Sequence, residues 1–569
     1  MGRQEHVTLG TPLIDRLIAG GQPWMLRALY LYRRILRLPI MAIEGSVRES
    51  VAAVALMAVA FALFDVIAEV KQPDATSVNV VLALCLLGAF IPIRDLPKEL
   101  RVLLYYINGI AIFYLAVGYP THDAVTGHFA ADWRPLALAI GAIGFLRPAF
   151  VLFSLKAVVW QKELTRAEFP PGISATDYIA VIEVGEFIVC LVLVACVLRA
   201  LALLPRFRRF AGAIGIDCRR VEAVAFTLGF FAGIGIHLAN YFWSGYGKLH
   251  LRNAGPLDWA LENPTYILAT TSYMVGTFTV YDLPFIDAQT ALALTKFINV
   301  PMNCFVLAIQ LLCVLAAFRR RALIVITLLY DLMHVGIFLL TGIFFWKWIL
   351  LNVGIVQALS CRKREMTFLP IAVVAGAIFT APSMFTTVIL AWFDTGGVNA
   401  GRIVAETAAG DRVDVPSNFF IDKSISFAQQ DPGKPFDQAL RTKTWGVTRR
   451  YEIMKSFTDR CDFEGPIRPT VRPEKLADVA QFLQLHHRRL VDLAGEDGRF
   501  AYNLYPHHIW SSWLRDQAFR NLDIREIQAY ILVVESYCVA LADDGTITKR
   551  SLMTSEYRVP IDDPLPRRP

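Results

Sequence analysis

Long apolar runs fill the first two thirds of the chain, and short alternating runs follow them. A membrane span needs about 20 mainly apolar residues. Residues 51–70 meet that length, with Asp65 and Glu69 at their far end. Residues 78–93 are shorter, 94–101 form a charged loop, and 102–118 are apolar again. Residues 135–160 are apolar but interrupted by Arg147-Pro148, which predicts a kinked or re-entrant helix. Residues 178–204 carry Glu183 and Glu186 three apart, on one helical face that should meet protein or water. Apolar runs at 222–243, 297–318, 322–345, 349–359 and 368–393 follow, while 264–282 reads as a half-helix or an external helix. The expectation is a polytopic α-helical membrane bundle of about 8–11 spans.

From residue 394 the period changes. Residues 401–416 alternate around a Gly-Asp turn and predict a β-hairpin. Residues 528–542 alternate, turn at Asp543-Asp544-Gly545 and return through 547–559. Between the hairpins, 473–493 has helical periodicity with proline at its first position. This predicts a small extracytoplasmic α+β domain over 394–569, after a membrane domain over 51–393.

Composition sharpens the reading. Of 569 residues, 55% are hydrophobic and 18% charged, and the mean hydropathy is +0.46. Soluble domains sit near 45–50% apolar and about 25% charged, so the excess belongs to membrane spans and the bilayer is the first expected partner. The net charge of +7 is modest and its arginines cluster in loops, so nucleic acid is not an expected partner. Three basic loops, 205–220, 319–321 and 361–365, mark one side as cytoplasmic. Within 1–50, residues 23–38 predict a basic amphipathic helix on that same side. Alternation of sides then puts 394–569 outside the cytoplasm, facing a protein partner. Cys461 and Cys538 are the only cysteines of that part; outside the cytoplasm a disulfide between them is open to them, and the sequence alone does not decide it.

Two clusters could carry chemistry. Residues 240–259 read NYFWSGYGKLHLRNAGPLDW and hold Lys248 beside small residues that leave room for a ligand. A lysine at a membrane boundary snorkels to the headgroups unless it is paired or working. Residues 330–348 hold Asp331 and His334 three apart on one helical face, placed to hydrogen-bond for proton transfer or as structural polar glue. His122, Asp123 and His128 match no metal-site spacing, and the pairs His486-His487 and His507-His508 offer at most one ligand each.

Together these clusters resemble the HTTM (horizontally transferred transmembrane) domain, the membrane module of vitamin-K-dependent γ-carboxylase and its bacterial relatives. The residues that carry the likeness are Tyr241, Phe242, Gly245, Lys248, Leu249 and Trp259, then His334, Phe338, Gly342 and Phe344. The resemblance reaches over 51–359. It implies a lipid-soluble small molecule, a quinol, as cofactor, with Lys248 as the base that deprotonates it. Asp331 and His334 would assist, and Tyr241 and Trp259 would hold the cofactor. The family's histidine motif has no counterpart here, since 132–139 read DWRPLALA. A non-enzymatic scaffold built on the same bundle is the competing expectation.

Overall fold

The computed structural model describes residues 46–118, 133–168, 173, 180–435, 442, 444–458 and 471–561. The expected surface helix at 23–38, the His122–His128 cluster, Asp132 and Cys461 lie outside them.

The architecture is mostly helical, with a small sheet region at the C-terminus. Among the described residues six helices are long and apolar enough to cross a membrane, and four shorter apolar helices accompany them. In chain order the helices are α1 (Val47–Ala68), α2 (Ala75–Gly88), α3 (Lys98–Val117), α4 (Trp133–Ile143), α5 (Val151–Glu168), α6 (Ala180–Leu203), α7 (Pro205–Ala213) and α8 (Cys218–Leu249). They continue with α9 (Asp258–Glu262), α10 (Thr265–Val275), α11 (Ala288–Phe297), α12 (Asn299–Ala316), α13 (Arg320–Thr341), α14 (Trp346–Cys361) and α15 (Phe368–Met384). Of the expected spans, about 8–11 by the length rule, six are helices of full length among the described residues, because several other apolar runs form shorter helices. Residues 135–160 break at Arg147-Pro148 into α4 and α5, since proline removes a donor and Arg147 turns extended before it. The half-helix expected at 264–282 is the 11-residue α10.

The centre of the bundle is α8. At 32 residues it would run about 48 Å, and nearly all its faces are buried. Its length has a local cause: no proline or glycine pair interrupts 218–249, and Asp217 caps its start. The apolar run at 222–243 is therefore part of a longer helix. The helix runs on to Leu249 and carries Lys248 in its last turn.

The basic loops gather at the other end. Arg199 bridges Asp95 at 3.0 Å and Glu222 at 2.6 Å, and Arg48 donates to the Ile214 carbonyl at 2.8 Å. Arg320 donates to the Leu359 carbonyl at 3.1 Å, and Arg362 meets Glu99 at 2.9 Å. Glu186 points into protein, as a carboxylate in an apolar run must, and pairs with Lys156 at 2.9 Å.

The C-terminal part holds a four-stranded antiparallel sheet in the order β3-β2-β5-β6, where β2 is Gly397–Thr407, β3 Arg412–Asp414, β5 Ile527–Leu541 and β6 Ile547–Pro560. A two-stranded ladder joins β1 (Phe393–Asp394) to β4 (Val447–Thr448). Both expected hairpins are present, and the helix expected at 473–493 is Pro473–Leu493. Its histidines serve the core: His486 bonds the Phe419 carbonyl at 2.9 Å and His487 the Tyr530 hydroxyl at 3.0 Å. Cys538 is disulfide-bonded, and the seven other described cysteines are free.

This part does not hang free. Ile343 and Ile509 form an antiparallel bridge just past α13. Gly342 sits there at φ +73°, where an added Cβ would meet the carbonyls of Thr277 and Trp510, so only glycine fits. Asp282 then accepts from the Ser512 hydroxyl at 2.8 Å and from two backbone N–H groups at 513 and 514.

Candidate functional site

Residues Asn240, Ser244 and Lys248 recur at every fourth position of α8 and make one polar stripe. An extended segment, 385–392, runs along it. Asn240 Oδ1 accepts from the Val388 N–H at 2.8 Å, and Ser244 Oγ accepts from the Leu390 N–H at 3.0 Å. Lys248 Nζ donates to the Leu390 carbonyl at 2.6 Å. A strand with no neighbour to pair with must satisfy its amides somehow, and here a helix face does it.

Lys248 is 6% exposed. Protein groups, not solvent, surround its ammonium, because Leu390, Gln310 and Trp259 cover the end of α8. Its ammonium has three further neighbours: Gln310 Oε1 at 3.1 Å, the Ser244 carbonyl at 3.4 Å and the Trp259 ring, whose centroid is 4.9 Å away. Three neutral acceptors and an aromatic face suit a cation. No carboxylate makes an ion pair with it among the described residues. Asp394, one of the cavity residues, is held by the Asn263 amide at 2.9 Å and the Trp392 indole at 3.2 Å. Burial pushes its carboxyl up to about 6, against hydrogen bonds from those two groups and the charge of Lys248.

A cavity of about 400 Å³ joins these groups. Lys248, Gln310, Asp394 and His334 are among its polar lining residues, and Tyr241, Trp259, Trp348 and Trp392 among its rings. The outer wall is apolar and comes from α12 and α13, through Met302, Phe305, Leu332, Gly336 and Ile337. Leu332 is 61% exposed, so the mouth lies on the outer apolar face of the bundle.

The two sequence clusters therefore meet, but not in the way expected. Lys248, His334, Tyr241 and Trp259 all line the cavity; Asp331 does not. Nor do Asp331 and His334 hydrogen-bond. Asp331 Oδ1 accepts from Asn352 Nδ2 at 2.8 Å, because α14 packs against the Asp331 side of α13 and brings an amide closer than the turn below can. Asn352 also reaches the Tyr241 hydroxyl at 3.2 Å and His237 Nε2 at 2.7 Å. His334 Nδ1 is buried with no hydrogen-bond partner. Its ring lies 5.6 Å from Tyr241 and 4.8 Å from Phe345. Tyr241 itself stacks on Tyr330 at 3.6 Å.

The small residues beside Lys248 also have another task than making room. A Cβ on Gly245 would sit 2.8 Å from Gln310 Cβ, and one on Gly247 would sit 2.9 Å from Ala391 Cβ. They let α12 and the extended segment close on α8. The sequence reading missed His237, Gln310, Asn352 and Asp394. The signal for the first three was a lone polar residue inside an apolar run, which rarely occurs without a partner.

No protein-family model, curated protein or solved structure matches this chain. The class rests on its own geometry: a helical protein with six long apolar helices, consistent with a multi-pass membrane protein. Within that class its mark is a buried lysine at the polar end of an apolar-mouthed cavity.

Proposed function

We propose that this protein takes a lipid-soluble, quinol-like molecule from the bilayer into the Lys248 cavity and acts on it with Lys248 as base. The observation that carries the reading is that Lys248 and His334 line one cavity whose outer wall is apolar and exposed. A molecule with a greasy tail and an acidic O–H would enter between α12 and α13 and put its head against the polar end. Tyr241 and Trp259 flank a flat ring. The proton of the O–H bond passes to the neutral amine of Lys248, leaving an oxyanion and an ammonium. That ammonium is received by Gln310 Oε1, the Leu390 and Ser244 carbonyls and the Trp259 face. A receptor for the product cation favours the transfer. His334 Nδ1, with no partner of its own, faces a second polar atom of the head. Asp331 acts at a distance, as a positioning residue that holds Asn352 and through it Tyr241.

In this reading the resemblance to the HTTM domain and γ-carboxylase describes the site. The basic end is cytoplasmic and the sheet region extracytoplasmic, where the disulfide at Cys538 would survive and a protein partner would dock. The second reading is a non-enzymatic scaffold, favoured by one observation: three neutral acceptors also fit a permanent structural ammonium.

Two measurements separate them. Mass spectrometry of lipid extracts from the purified protein should find a quinone-type molecule, depleted in a Lys248→Arg variant that accumulates normally. Arginine keeps the charge but cannot serve as a base near neutral pH. If Lys248→Arg retains the molecule and full cellular function, the base assignment fails and the scaffold stands.

A further inference from the structure

At the end of the bundle away from Lys248, a second cavity of about 1140 Å³ opens between the ends of α6 and α8 and the short helix α7. That is above the roughly 300–1,000 Å³ of ordinary small-molecule pockets. Its wall has two characters. Leu198, Leu203 and Phe226 make an apolar side. Asp95, Arg199 and Glu222 form one ion-paired unit that neutralises most of its own charge. Asp217 accepts the Arg219 N–H at 2.9 Å as the cap of α8, and lies 3.7 Å from Arg220.

Arg208 and Arg219 remain. Both are exposed, both line the cavity, and neither has an ion pair among the described residues. Arg206 and Arg209 stand on the same helix, α7. Bare apolar side chains stand next to these arginines: Leu203, the last residue of α6, is 80% exposed and Phe210 of α7 is 62% exposed. Exposed arginines next to bare leucine and phenylalanine suit a segment lying in a lipid interface.

We propose that this cavity holds an anionic phospholipid of the adjoining leaflet, with its phosphate on Arg208 and Arg219 and an acyl chain along Leu198, Leu203 and Phe226. Charge complementarity selects the headgroup. The apolar wall next to the arginines selects a lipid over a free phosphate. The site lies at the end of α6 and α8, where headgroups meet the ends of membrane helices. The inference does not depend on any chemistry at Lys248.

The test is native mass spectrometry of the full chain released from nanodiscs of phosphatidylcholine mixed with phosphatidylglycerol. The wild type should retain phosphatidylglycerol in preference to phosphatidylcholine. Arg208→Gln with Arg219→Gln should lower that retention about thirty-fold, the worth of two arginines at a charged lipid surface. Arg208→Lys with Arg219→Lys should keep most of it. Equal retention of the two lipids by the wild type overturns the proposal. So does displacement of phosphatidylglycerol by millimolar inorganic phosphate, which would make this a soluble-anion site. Should the glutamine variant fail to accumulate, the wild-type lipid competition decides alone.

Discussion

Among the described residues of the bundle helices Lys156, Lys248 and Lys347 are buried, and the first two are compensated differently. Lys156 is 1% exposed and meets Glu186, itself 2% exposed, at 2.9 Å. Lys248 is 6% exposed and meets two carbonyls, one side-chain amide and a tryptophan face. A buried charge with a buried counter-charge is complete, and any ligand would disturb it. A buried lysine held by neutral groups at the wall of a cavity has no counter-charge of its own and can take a proton from whatever enters. Glu186 makes Lys156 part of the fold; its absence beside Lys248 makes that lysine the better candidate for function.

The largest effect should come from splitting the complete pair. Lys156→Met or Glu186→Leu alone strands a buried charge and should cost about 3–5 kcal/mol. The double substitution should recover most of that loss. Thermal unfolding in detergent reads both, and a double variant as weak as the singles would break the contrast with Lys248. Lys248→Met, by comparison, strands only neutral acceptors and should cost about 1–3 kcal/mol, while abolishing ligand retention. Were Lys248→Met to destabilise more than Lys156→Met, Lys248 would be the structural lysine of the two.

A smaller effect separates the residues behind the cavity. Asn352→Leu removes an amide shared by Asp331, Tyr241 and His237, and should cost about 1–3 kcal/mol. Asp331→Leu should add to it by less than the sum of the two, since they share one hydrogen bond. Asp331→Leu and His334→Leu should instead be additive. Strong coupling between Asp331 and His334 in that cycle would restore the pairing their spacing suggested.

Much of the fold was legible because bilayer length and strand alternation are local signals. The hairpins and the helix at 473–493 come from period alone, and the break at Arg147-Pro148 from one proline. What was not legible is tertiary. The spacing of Asp331 and His334 is correct for a shared face, yet Asn352, a residue of another helix, takes the aspartate. Lys248 looked like an interfacial anchor because the segment 385–392 that covers it lies about 140 residues downstream, at the separation its bond to Leu390 records. The glycines beside it looked like space for a ligand until Gln310 and Ala391 were found to fill that space. The site residues that were found had charge or a ring in an unusual place; those missed, His237, Gln310, Asn352 and Asp394, were single polar groups whose meaning lies in their partners.

The smallest expected effect tests the charge of Lys248 directly, through Asp394. Burial raises this carboxyl to about 6 in the folded protein, from an ordinary value of 3.8, and Lys248 acts against that rise. A carboxyl whose folded value is raised binds its proton more tightly when folded. Its contribution is therefore full below about 4 and declines as pH climbs through 6. Between pH 5 and 7 the loss should be about 1 kcal/mol, and Asp394→Asn should remove that part of the pH slope. Subtracting the Asn variant from the wild type cancels other titrating groups, including Asp516, which burial pushes up to about 8. Lys248→Met then separates the two readings of the lysine: if it is a structural ammonium, its removal moves the Asp394 window upward, whereas removal of a neutral amine leaves the window in place. The infrared band of the protonated carboxyl would follow that movement in detergent-solubilised protein. An Asp394 window that stays in place would mean that Lys248 carries no charge in the resting protein, which removes the structural-ammonium reading and leaves a neutral amine ready to take a proton.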